Sequence, residues 1–283
     1  MSVNPDRINI HELTIQEPEK RTDLPFDSEI EVTQEDWQAM KSELEKIRLS
    51  GDWASFLSLA VHMKILDPTL DLNLDMEAKQ GMRRTFKEWK ENNVISNHWD
   101  IFYSRAADMK LLDPTIDLDF NVADRQIMRD EVERLRDHGK TGNHWDAFSR
   151  RAVEVKLIDP GYDPGLDQTT WQGMRDTLEG YRQDNNWGYF TSQATYMKIL
   201  DPVLDLRLDQ VAWQGIKDKL EWYRERSIEG NDSWGVFSDH AREMKILAAE
   251  EVKVTEKGLE INMKKSKGSI NAETPAIPET KQF

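Results

Sequence analysis

The hexapeptide MKILDP at Met63–Pro68 returns as MKLLDP at Met109–Pro114, VKLIDP at Val155–Pro160 and MKILDP at Met197–Pro202. A chain made of self-similar units must stack them, so this internal repeat limits the fold more than any other feature. Each copy closes a segment opened by W-x-x-F, and a fifth such segment ends in MKILAA; the five open at Trp53, Trp99, Trp145, Trp187 and Trp234, which lie 46, 46, 42 and 47 residues apart. Within a segment the unvarying or apolar positions fall at offsets 0, 3, 7, 10 and 13, for example Trp53, Phe56, Ala60, Met63 and Leu66. That spacing traces one face of an α-helix.

A second helical frame precedes each of these. It reads Trp37, Met40, Leu44 and Ile47 first, and Trp213, Ile216, Leu220 and Tyr223 last. The chain is therefore five copies of helix–turn–helix–linker. One amphipathic hairpin cannot bury both its faces, but a stack can. The expected fold is all-α: an α-solenoid of five helix-turn-helix repeats, or a compact bundle if curvature closes it. The period resembles that of HEAT-like units, a likeness of architecture that assigns no functional residue. The expected organisation is an acidic tail over 1–32, the repeat domain over 33–250, a β-hairpin cap over 251–263 and a disordered tail over 264–283. The hairpin is read from VKVTEKGLEINM, where apolar residues alternate around Lys257-Gly258.

The linkers carry an acidic strip, "DLNLD" at Asp71–Asp75, that invites a calcium reading with Asp71, Asn73 and Asp75 as oxygen ligands. An EF-hand loop needs Gly at its sixth position and Glu at its twelfth; here Met76 and Met82 stand there. The fourth copy puts Arg207 at the middle ligand position and the third puts Pro164 there. Asp75, Asn121, Asp167 and Asp209 instead lie four residues before the first frame position of the next helix, as Thr33 does before Trp37. These are N-cap residues at N-cap places. The Lys of each MK pair falls in a last helical turn, favourable for the macrodipole, and Pro follows where a helix must stop. The strip reads as a joint. "NHWD" at Asn97–Asp100 and Asn143–Asp146 could bring His98 and His144 together, but two imidazoles make a weak metal site. No metal and no cofactor is expected.

Function is less legible. The 283 residues contain no Cys, which removes thiolate catalysis and Cys-bound zinc and suits a reducing, cytoplasmic setting. The N-terminal stretch reads without a secretory leader. A formal charge of −15 disfavours nucleic acid and anionic membrane as partners and favours basic ones. No P-loop, G-x-G-x-x-G, H-E-x-x-H or Ser–His–Asp pattern is present. The leading expectation is a non-catalytic scaffold binding a protein or peptide. The alternatives are an α/α-toroid-type enzyme or carbohydrate-binding protein, and an acidic decoy of a nucleic-acid-binding protein. Recognition in a repeat protein can reside in departures from the frame. Trp222, Tyr196, Tyr103 and His62 occupy off-frame positions expected to be exposed and are the candidate partner contacts.

Overall fold

The computed structural model describes residues 31–263, apart from 73, 97–98, 143–144, 207 and 232. The expected tails, save Glu31 and Val32, lie outside the described residues, as do Asn97, His98, Asn143 and His144. Ten helices follow in order: α1 Gln34–Ser50, α2 Trp53–Leu66, α3 Met76–Ser96, α4 Trp99–Leu112, α5 Val122–Gly142, α6 Trp145–Ile158, α7 Gln168–Gln183, α8 Trp187–Leu200, α9 Gln210–Ile228 and α10 Trp234–Ala248. A hairpin of β1 Glu251–Thr255 and β2 Gly258–Asn262 ends the described chain. Its strands are antiparallel, with Val252 opposite Ile261. The fold is an all-α helical repeat with a small C-terminal hairpin.

The joint residues do what their types favour. The side chains of Thr33, Asp75, Asn121, Asp167 and Asp209 each accept a backbone N–H three residues on, at 2.7–3.1 Å. The Asp before each Pro shapes the turn that follows: Asp67, Asp113 and Asp201 accept the N–H two residues later. The strip's repeated acids thus serve backbone donors at the starts of helices and turns.

The even-numbered helices pack side by side, α2 on α4, α4 on α6, α6 on α8 and α8 on α10, and α10 returns to pack on α2. The stack closes into a ring, with α1, α3, α5, α7 and α9 outside. The inner helices run parallel, since equivalent ends meet: Lys156 near the end of α6 reaches the Leu200 carbonyl at the end of α8 (3.4 Å), and Lys198 the Leu247 carbonyl at the end of α10 (3.1 Å). The frame residues fill the space between the two layers. Phe56, Phe102, Phe148, Phe190 and Phe237 are fully buried, as are Ala60, Ala106, Ala152, Ala194 and Ala241. The hairpin packs on α4, α6 and α8, beside the Lys110–Pro114 segment that ends α4. It therefore closes one end of the ring.

Candidate functional site: the axial pocket

An inner helix in a closed ring has neighbours on both flanks, outer helices behind it and the ring axis in front. Its axis-facing positions are offsets 5, 8, 9 and 12 from the leading Trp, joined on α4 by Arg105 at offset 6. Side chains from these positions on all five inner helices line one cavity of about 320 Å³. Such a pocket is at the small end of those that take organic ligands.

The lining is tiered. Deepest is offset 12, where Leu111, Leu157, Ile199 and Ile246 meet Leu259 of β2 in an apolar floor. The middle tier, offsets 8 and 9, is polar on every helix: His62, Asp108, Glu154, Tyr196 and Arg242. At offset 5 are Ser58, Ser104, Arg150 and Asp239. Exposure rises in the same direction. The floor residues Leu157, Ile199 and Ile246 are buried, Arg150 is exposed, and the Asp239 side chain is 44% exposed. The mouth therefore opens at the N-terminal ends of the inner helices.

A network of charges holds the middle tier. Asp239 Oδ1 accepts from Arg242 Nη2 at 2.6 Å and lies 3.2 Å from His62 Nε2, while His62 Nδ1 is 3.2 Å from Ser238 Oγ. Glu154 accepts from Ser104 Oγ and from Arg151 Nη1, each at 2.5 Å. Asp108 accepts from Arg105 Nη1 at 3.4 Å. Glu243, one turn beyond Asp239, has its Oε1 3.6 Å from the same Arg242 nitrogen. It faces a second cleft between α8, α9 and α10, of about 300 Å³, which Asp239 also lines.

Burial and neighbours set the protonation of these groups. Burial moves the Asp108 carboxyl up to about 6, and burial together with the Asp239 charge moves Glu243 up to about 8. Burial lowers His62 to about 4, which keeps it neutral at neutral pH. Burial also opposes ionisation of Asp239, but the Arg242 guanidinium and then His62 outweigh it and hold the carboxyl below its usual range. Two acids one turn apart on α10 are thus pushed in opposite directions.

The four residues singled out in the sequence divide. Trp222, on the outer face of α9, is 42% exposed. Lys219 Nζ lies 3.5 Å from its ring centroid and the Arg226 guanidinium 4.8 Å. Tyr103 is not exposed at all. Its offset, 4, faces the neighbouring inner helix, where the Arg151 guanidinium sits 4.8 Å from its ring centroid, and its counterparts Leu57, Ser149, Thr191 and Ser238 are equally buried. His62 is buried and Tyr196 half-buried because both point to the axis. The expectation of exposure is corrected at these three: Tyr103 is covered by the neighbouring helix α6, as it would be in any stack, while ring closure turns His62 and Tyr196 in to the axis. His62 and Tyr196 converge in the pocket; Tyr103 and Trp222 lie outside it.

Sequence reasoning missed Arg105, Arg150, Asp239 and Arg242. Their signal was present, since offsets 5, 6 and 8 are small or apolar in α2 (Ser58, Leu59, Val61) and charged in α4, α6 or α10. A larger recess, of about 720 Å³, lies between α1 and the following linker. Its charged residues have local roles: Arg48 pairs with Glu45 and with the cap Asp75. Among the described residues no helix is long and apolar enough to cross a membrane, and no group of three or more candidate ligands is placed to hold a metal ion. Comparison of the chain with protein-family models, with curated proteins and with solved structures found no match.

Proposed function

We propose that the chain is a non-catalytic helical-repeat binding protein that takes a small ligand into the axial pocket. The observation that carries this reading is the middle tier, where all five inner helices turn a polar or charged residue towards one axial cavity. Burying such groups is costly unless each is partnered, and an apolar plug would close the ring at less cost. An α/α-toroid-type enzyme or a carbohydrate-binding protein would use the same cavity. Binding is preferred to turnover because Asp108, Glu154 and Asp239 are each held by a guanidinium, whereas acid–base work needs a carboxyl that reaches the ligand.

The test is a thermal-shift panel on the whole chain, with small solutes spanning anions, cations and neutral polar molecules. It is repeated with Ser58→Trp, which crowds the mouth. At least one class should raise the melting midpoint of the native protein and lose that effect in the variant. No shift from any class, or a shift that survives in Ser58→Trp, would refute the axial site.

A second reading keeps a protein or peptide partner on the outer surface, favoured by the exposed Trp222 between two cations. The charge of −15 still favours basic partners overall. The decoy alternative has less support, because acids alternate with bases along the outer helices, as in Glu45–Arg48, Glu131–Arg134 and Glu221–Arg224.

A further inference from the structure

We infer that the ligand of the axial pocket is a small organic acid, its carboxylate held at the Arg105, Arg150 and Arg242 guanidiniums and its apolar body seated on the Leu157, Ile199 and Ile246 floor. This rests on the axial-site reading above and adds the chemical class.

The first argument is an inventory of donors and acceptors. By formal charge the lining is balanced, with Arg105, Arg150 and Arg242 against Asp108, Glu154 and Asp239. By hydrogen bonding it is not. Two carboxylates are already engaged, Asp239 by Arg242 and His62 and Glu154 by Ser104 and Arg151, while Asp108 and Arg105 share one long contact. The donors are under-used. A guanidinium presents five N–H groups, yet the ion pairs of Arg242 with Asp239 and Glu243 both use Nη2, and its Nε is sealed in the protein without a partner. Arg105 gives its carboxylate one contact, at 3.4 Å. Arg150, exposed at the mouth, forms no ion pair among the described residues. Arg151, from behind the lining, takes part of the Glu154 charge and so leaves the three lining arginines in excess. Unused, forked donors facing a cavity select a planar anion, which accepts two parallel N–H bonds.

The second argument is the direction of the field. Five parallel inner helices present their N-terminal ends on the mouth side, and each brings a partial positive charge there. Even in an acidic chain, an anion entering from this end meets the favourable pole of every inner helix. A cation would meet it with the wrong sign, and the carboxylates that could receive a cation are those already paired.

The third argument is the floor. Below the arginines the cavity passes the offset-9 residues His62, Asp108, Glu154 and Tyr196 and ends on Leu111, Leu157, Ile199, Ile246 and Leu259. A sugar would set hydroxyls against these apolar residues without partners, at the cost of burying unsatisfied polar groups. Inorganic phosphate would satisfy the arginines but leave the floor unfilled. A carboxylate on a short hydrocarbon body satisfies both tiers, and about 320 Å³ suits a molecule of that size.

The experiment is isothermal titration of the whole chain at neutral pH with hexanoate, hexanamide, hexylamine, glucose and inorganic phosphate. Hexanoate should bind, with hexanamide at least about tenfold weaker because it keeps the body and loses the charge. Arg150→Gln, at an exposed position that should not disturb folding, should weaken hexanoate and leave hexanamide unchanged. Arg242→Lys should keep the charge, lose the fork and also weaken hexanoate. Equal binding of hexanoate and hexanamide, stronger binding of hexylamine or glucose, or indifference to Arg150→Gln would overturn the assignment of class while leaving the axial site standing. Binding by phosphate as tight as by hexanoate would overturn the role of the floor. Failure of all five probes, together with an empty thermal-shift panel, would remove the axial site itself.

Discussion

The Lys245 ammonium donates to the Leu66 carbonyl at 2.8 Å, although 179 residues separate the two in sequence. Lys156–Leu200 and Lys198–Leu247 make the same step between neighbours inside the ring. Lys245 makes it from the last repeat back to the first. Around it His62 meets Ser238 and Asp239, and Arg224 on α9 bonds both Asp36 at 3.0 Å and the Glu31 carbonyl at 2.6 Å. The seam thus reuses the contact made by Lys156 and Lys198, whereas Lys64 and Lys110 turn to carbonyls of their own linkers. An open array needs special caps for its end repeats, and here the two ends cap one another.

Removing a lysine from this relay leaves the last carbonyls of an inner helix without their donor. Lys198 is the more buried case, bonded to both Leu247 and Ala249 carbonyls at 3.1 and 2.6 Å. Lys198→Met should cost about 1–3 kcal/mol, the penalty for a buried group that loses its partner. Lys245→Met, at a half-buried position, should cost less but loosen the seam. Urea melts measure the first. Hydrogen exchange in α2 and α10 reads the second, with faster exchange expected there than in α6. Unchanged exchange would mean that the seam does not depend on Lys245.

The leading Trp of an inner helix packs on a glycine of the next outer helix. A Cβ added at Gly215 would collide with the Trp187 ring at Cε2, and one at Gly173 with Trp145 Nε1. Gly215→Ala should therefore destabilise by about 1–3 kcal/mol through overpacking. Gly180→Ala, on α7 with nothing within 4 Å, should stabilise by about 0.5–1 kcal/mol, as expected for an unneeded helical glycine. Paired thermal or chemical melts with opposite signs check both. Destabilisation at Gly180 would show that helix propensity is not the controlling factor.

Much of this was readable from the chain because a repeat states each rule several times. Five Trp–Phe–Ala frames, four continued by Met and one by Val155, fix inner helices whose cores are buried as the period requires. Five capping side chains at one offset fix where the outer helices begin. Closure was not readable, since it depends on the small angle between neighbouring hairpins, which no single residue states. Closure accounts for His62, which meets Ser238 and Asp239 of α10 across the seam. Tyr103 is buried by the adjacent helix α6 instead, through a sideways contact that the frame offsets do not include. The Trp–Gly contacts left a trace, since Gly81, Gly173 and Gly215 each lie 28 residues after an inner-helix Trp and Ile127 stands at the corresponding place after Trp99. Without a neighbouring helix to pack against, those glycines read as ordinary composition.

The acids of α10 give the protein a pH dependence with a definite sign. Glu243 is 2% exposed and titrates near 8, raised by burial and by the charge of Asp239. Between the ordinary carboxyl range and about 8 the folded state holds a proton that the unfolded state has released, so stability falls as pH rises through this window. Below about 6.5 other groups intervene. Asp108 acts in the same sense up to about 6, while His62 and His240, both lowered to about 4 by burial, act in the opposite sense. From pH 6.5 to 8 Glu243 dominates, and the loss should be on the order of 1–2 kcal/mol. Glu243→Gln should flatten the profile over that range, and melts at half-unit pH steps would show it. An unchanged slope in the variant would place the titration elsewhere.

Trp222 and Tyr103 were alike in the sequence, each an aromatic where other repeats carry something else, and the fold separates them. Tyr103 is wholly buried against Arg151 and Phe102. Tyr103→Ala should cost about 3–5 kcal/mol, as for other large-to-small core changes in aromatic residues. Trp222 keeps 42% of its surface in solvent and packs with Lys219, Arg226 and Tyr223. Trp222→Ala removes two cation–ring contacts of the exposed kind, together worth about 1–2 kcal/mol at most, and no core volume. The two variants should therefore differ by at least about 1 kcal/mol in a chemical melt. Since the Trp222 change leaves the axial pocket intact, hexanoate binding should be unaffected. If the outer surface instead receives a protein partner, capture of that partner should weaken in Trp222→Ala while the melt stays near the native one. Equal capture by both proteins would take Trp222 out of any docking face.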